Sequence, residues 1–110
     1  MLYPIAHFAD GETLRIEFAE FTPLITFHSK SRLTVRIVAG GNAGFEDTVE
    51  YESVAVREGL VILSWREHIG STVVHALDLI SNNAYTIVTR AKGDLMRLQG
   101  PIRRLPPGEG

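Results

Sequence analysis

Cysteine is absent from the 110-residue chain, which excludes disulfides and thiolate metal sites and makes a reducing cytoplasm the expected compartment. Helix-length apolar runs are also missing. The N-terminal segment Met1 to Phe8 has no basic start and only a short apolar stretch, so neither a signal peptide nor a membrane anchor is expected. Charge of one sign is scarce as well: eleven Lys and Arg lie interspersed with thirteen Asp and Glu, for a net charge of −2. Arg103-Arg104 is the nearest approach to a basic cluster, and specific binding of nucleic acid needs several phosphate contacts, so no nucleic-acid partner is expected. What is present is apolar substance. Hydrophobic residues make up 45% of the chain and charged residues 22%, enough for one globular core and too short a chain for two. A single domain is expected over residues 1–105, with 106–110 (Pro-Pro-Gly-Glu-Gly) as a flexible tail.

The apolar residues recur with the period of strands. After a leader that ends at Asp10-Gly11, Leu14, Ile16 and Phe18 alternate with Thr13, Arg15 and Glu17 over Glu12 to Phe18. Pro23 to His28 is rich in β-formers, with Pro23 expected to open its strand because proline cannot donate to a ladder. Leu33, Val35, Ile37 and Ala39 then mark an inner face, and the glycine-rich Gly40 to Gly44 reads as an inter-strand loop that could lie over the mouth of a cavity. In Asp47 to Arg57, Val49 and Tyr51 have one parity and Val54 and Val56 the other, so a face switch is expected at a bulge near Glu52-Ser53. Tyr85 to Arg90 and the run containing Met96, Leu98, Gly100 and Ile102 complete eight strands, separated by turns at Asn82-Asn83 and Lys92-Gly93-Asp94. Short turns without helical periodicity predict an all-β antiparallel up-and-down barrel or a sandwich. At eight strands a barrel interior is either filled by side chains or holds one small ligand.

Between them lies the most informative stretch, Val61 to Asp78, which reads as a hairpin and holds the only Trp. With His68-Ile69-Gly70 as a three-residue loop and Gly70 left-handed, Glu67 faces Ser71, Trp65 faces Val73, and Leu63 faces His75. One face then carries Val61, Leu63, Trp65, Glu67, Val73, His75 and Leu77, an acid and an imidazole among apolar groups. A carboxylate on an apolar wall loses solvation and its pKa rises, which makes Glu67 a candidate general acid or base with His75 as its companion. The bland alternatives are a solvated Glu67 at the rim and a satisfied core histidine. His7, His28, His68 and His75 form no close ligand pairs, so no metal site is expected, and no Gly-x-Ser-x-Gly marks a nucleophile.

The run Ser64-Trp65-Arg66-Glu67, Gly70-Ser71-Thr72-Val73, Asp78, Tyr85 and Leu98-Gln99-Gly100-Pro101-Ile102 resembles the MoaF-like proteins of the calycin, or lipocalin-like, superfamily. That resemblance implies an eight-stranded calycin barrel. The Trp-x-Glu-x-x-Gly hairpin is also similar to that of bacterial phenolic acid decarboxylases, which implies a proton-transfer role for Glu67. Their Tyr-x-Tyr pair and loop arginine correspond here to Ala6, Phe8 and Gly44, so the groups that would hold a substrate carboxylate are missing, and the apolar pattern of its strand points Arg97 outward.

Three functions follow as expectations. The first is a small apolar or aromatic ligand held inside the barrel by Trp65, Tyr51, Leu63 and Val73, with Leu77, Ile37 and Tyr85 completing the lining and no cofactor required. The second is a cofactor-independent lyase or isomerase using Glu67. The third is a barrel plugged by Phe18, Ile37, Trp65 and Leu77 that serves as an interaction module, such as a homodimer built on Val74, Ile62 and the leader.

Overall fold

The computed structural model describes residues 8–107. The strands are β1 (Thr13–Ile16), β2 (Phe21–Phe27), β3 (Arg32–Gly40), β4 (Glu46–Arg57), β5 (Leu60–Arg66), β6 (Thr72–Asp78), β7 (Asn83–Thr89) and β8 (Leu95–Leu105). Each pairs antiparallel with its neighbour in the chain, and β8 returns to β1 to close the barrel. This is the up-and-down arrangement expected of a calycin-type barrel, and closure gives every strand a neighbour on each side. Among the described residues no helix is long and apolar enough to cross a membrane.

The alternation in β1 and β3 behaves as read. Leu14, Ile16, Leu33, Val35 and Ile37 are all buried. Thr13 departs from it: it is also buried, with its hydroxyl 2.9 Å from that of Thr26. Two expectations about backbone irregularity need correcting. Pro23 does not open β2, since Phe21 and Thr22 precede it in the strand and the pairing with β3 slips between Thr22 and Pro23. That bulge accommodates the missing N–H. In β4 the face does not switch near Glu52-Ser53. Val49 and Tyr51 are buried, Val54 and Val56 are exposed, and the pairing with β5 slips only between Ala55 and Arg57.

The core fills the barrel unevenly. Leu14, Ile16, Phe27, Leu33, Val61, Leu63 and Leu77 are wholly buried towards the end that carries the β2–β3, β4–β5 and β6–β7 turns. Phe8 stacks on Phe27 there, with ring centroids 4.3 Å apart, and the Arg104 guanidinium lies 5.2 Å over the Phe8 ring. Pro107 approaches Gly11 at the same end. The remainder of the expected leader and of the tail lies outside the described residues.

The opposite end is shaped by glycine. Gly40 has a φ of +81°, and a side chain there would meet the backbone of Phe21 at 2.7 Å. Gly100 occupies an inward position of β8, where an added Cβ would collide with the Glu17 carbonyl. The chain leaving β1 therefore crosses over β8, and Glu17 N–H donates to the Pro101 carbonyl at 3.0 Å. This crossing carries Phe18 inward, 5% exposed, instead of letting β1 continue straight.

Candidate functional site

At that end a cavity of about 520 Å³ opens to solvent. Its walls are Phe18, Phe21, Val35, Ile37, Trp65, Val73, Val88 and Met96, and its rim comes from the β1–β2, β3–β4, β5–β6 and β7–β8 loops. Gly41, Asn42 and Phe45 of the glycine-rich loop line it, as expected of a mouth loop. Phe18, Ile37 and Trp65 are cavity walls and not a plug. The volume falls in the range of small-molecule pockets, and the lining is mostly apolar with a few polar groups.

Those polar groups are placed by the central hairpin. Leu63 pairs with His75 and Trp65 with Val73. Glu67 N–H donates to the Ser71 carbonyl at 2.8 Å, and Gly70, at φ +97°, turns the loop. Trp65, Glu67, Ser71, Val73 and His75 all face the cavity. Glu67 is half-buried at the mouth, where Trp65 Nε1–H donates to its Oε2 at 3.3 Å. Burial pushes its carboxyl above the usual carboxylate range, the Trp65 hydrogen bond opposes this, and the negative charge of Asp47 adds to the rise. Asp47 is itself held by His68, whose backbone N–H reaches Oδ2 at 2.8 Å and whose Nδ1 reaches Oδ1 at 2.7 Å. Deeper down, His75 is 3% exposed, with Nδ1 2.6 Å from Thr86 Oγ1. Burial lowers its pKa to about 3, so the ring is neutral at physiological pH.

These features match a known family. The chain fits the family described as MoaF-like over residues 10–103. It belongs to the MoaF-like family. No curated protein matches it. Among solved structures, a Burkholderia vietnamiensis protein named provisionally as a beta-lactamase is similar to this MoaF-like chain, with 26% identity and a TM-score of 0.84. The alignment covers 96% of this chain and 100% of that one.

Not every residue expected to line the MoaF-like cavity does so. Trp65, Val73 and Ile37 do, together with Glu67 and His75. Leu63 and Leu77 share their parity but lie in the filled half, both at 0% exposure. Tyr51 is likewise outside the cavity, with its hydroxyl donating to the Ser29 carbonyl at 2.9 Å. Tyr85 points away from the interior: His75 pairs with Thr86, which puts Thr86 inward and leaves Tyr85 48% exposed.

Several lining residues escaped the sequence reading. Thr86 and Val88 follow from the β6–β7 register. Arg90, Lys92 and Glu20 sit on rim loops that only barrel closure brings together. Of the groups that would mark a phenolic acid decarboxylase, Ala6 lies outside the described residues, Phe8 is packed at the filled end, and Gly44 belongs to the mouth loop. Arg97 is exposed, as its strand pattern required.

Proposed function

We propose that this MoaF-like protein binds a small, mostly apolar or aromatic molecule in the open half of its calycin-type barrel. The observation that carries this is the cavity of about 520 Å³, walled by Phe18, Phe21, Trp65 and Met96 and given polarity only by a few groups such as Glu67, His75 and Thr86. Apolar walls supply affinity, and sparse polar groups fix orientation. Trp65 is the only tryptophan, so its fluorescence reports occupancy directly. Titration with planar aromatic molecules should quench it and give matching calorimetric heats. Val73→Phe, which puts a ring into the cavity from the position paired with Trp65, should weaken binding by about tenfold or more, equivalent to roughly 1.4 kcal/mol. A chemically varied aromatic panel that leaves both fluorescence and heats unchanged would sink the reading.

A second reading, a cofactor-independent lyase or isomerase, is favoured by one observation: the half-buried Glu67 carboxyl has a raised pKa beside an apolar wall. It requires that Glu67→Gln abolish turnover of a bound aromatic while binding persists; turnover at the wild-type rate in that variant removes it. Beta-lactam hydrolysis, suggested by the name of the Burkholderia protein, gains no support from these residues. No Ser-x-x-Lys occurs in the chain, and among the described residues no group of three or more His, Asp or Glu could hold a metal.

A further inference from the structure

The depth of the cavity carries a polar site of defined character. The His75 ring sits 5.0 Å from Trp65 and is parallel to Phe18 at 6.4 Å, with centroid distances measured in both cases. Its Nδ1 faces Thr86 Oγ1, and Thr86 is also 3% exposed. The Thr86 hydroxyl has no other hydrogen-bond partner among the described residues. With the imidazole proton on Nδ1, Thr86 Oγ1 would accept it, and two groups, the hydroxyl proton and the Nε2 lone pair, would be left without a protein partner. Placing the proton on Nε2 lets Thr86 donate to Nδ1 and leaves the Nε2–H as the one unpaired group.

Nε2 has no protein partner among the described residues. No fully buried side-chain nitrogen or oxygen there lacks one, and His75 lines the cavity, so Nε2–H is reached from inside it. The charged groups of the cavity, Glu20, Glu67, Arg90 and Lys92, all belong to the rim loops. The inner end thus offers a neutral N–H donor between aromatic rings, with no cation beside it.

We propose that the ligand is a flat aromatic or conjugated molecule that enters with a neutral carbonyl-type acceptor foremost and receives a hydrogen bond from His75 Nε2. This rests on the reading of the cavity as a ligand site. A carboxylate in that position would lose its hydration without meeting a positive charge, so anions are disfavoured at the inner end. The site selects the neutral acceptor over both a hydrocarbon and an acid.

Three probes of one skeleton separate these cases: the ketone benzylideneacetone, the carboxylate cinnamate and the hydrocarbon β-methylstyrene. The chain has no cysteine to react with the enone. Calorimetry on the full chain at neutral pH should give the ketone about tenfold tighter binding than either of the others, a difference equivalent to roughly 1.4 kcal/mol. In His75→Phe, ketone and hydrocarbon should bind equally. Proton–nitrogen correlation spectra of the wild-type imidazole provide a readout that needs no variant: Nε2 should be protonated, and its proton should shift with benzylideneacetone and not with β-methylstyrene. Binding of β-methylstyrene with no preference for the ketone, a preference for cinnamate, or a protonated Nδ1 overturns the inference and leaves the cavity reading standing. Failure of all three probes to bind overturns the inference, and the cavity reading falls with it only when the varied aromatic panel fails as well.

Discussion

At the scale of single residues, the two polar groups of the hairpin have different fates because they lie at different depths. Glu67 sits at the mouth and keeps part of its hydration, whereas His75 sits inside and loses nearly all of it. The consequence for His75 is a pH dependence of stability. In the unfolded chain the imidazole takes up a proton near its ordinary value of 6.5, but in the folded protein it does so only near 3. Between these values the unfolded state binds more protons, so stability is complete above 6.5 and falls as the pH drops. From 6.5 to 4.5, with the carboxyls common to both proteins, wild-type stability should fall by about 2 kcal/mol more than that of His75→Phe. Urea denaturation at several pH values checks this. Parallel stability profiles for the two proteins would show that His75 is protonated in the folded state.

At the scale of elements, legibility depended on which face of a strand carried the larger apolar residues. The β5–β6 register could be read directly, because Gly70 fixes the loop and the alternation of Leu63, Trp65, Val73 and Leu77 fixes the phase. The phase of β7 was misread for the opposite reason. Its outward residues Tyr85 and Ile87 are bulkier and more apolar than the inward Ala84 and Thr86, so periodicity alone selects the wrong face. Only the pairing of His75 with Thr86 corrects it. The misplaced bulge in β4 has the same origin, since outward Val54 and Val56 outweigh inward-parity Ser53 and Ala55. Depth along a strand was not legible at all. Leu63 and Trp65 share a face, yet one is packed in the filled half and the other lines the cavity. That difference arises because Phe8 and Phe27 stack at one end while the crossing over Gly100 shapes the other. The rim residues Glu20, Arg90 and Lys92 converge only on closure, which no local pattern records.

At the scale of the whole molecule, everything depends on the seam between β1 and β8, where the shortest strand meets the last one. β1 spans only Thr13–Ile16 and gives four residue pairs to β8. Glu12 reinforces the seam: Arg104 Nε–H donates to its Oε2 at 2.7 Å and Arg104 Nη2–H to its Oε1 at 3.3 Å, while Ala9 N–H donates to Oε1 at 2.9 Å. Burial raises the Glu12 pKa, but the Arg104 and Ala9 hydrogen bonds and the Arg104 charge outweigh it, and the net position is below 4.5. The carboxylate therefore stabilises the fold above its unfolded value and loses that contribution as the pH falls through its lower folded value. Arg104→Gln leaves a 7%-exposed carboxylate without its cation and should cost about 1–2 kcal/mol at neutral pH, discounted because the arginine is itself partly exposed. Without that cation the folded Glu12 pKa should rise, so the deficit should shrink as the pH drops below 4.5. Kinetics should locate the loss. Pairing β1 with β8 closes nearly the whole chain, a contact whose loop entropy places it late in folding, so Arg104→Gln should mainly accelerate unfolding and leave the folding rate nearly unchanged. Stopped-flow measurements at neutral pH decide between the two limbs. A slowed folding limb with unchanged unfolding would mean that the seam forms early and that the barrel grows outward from it.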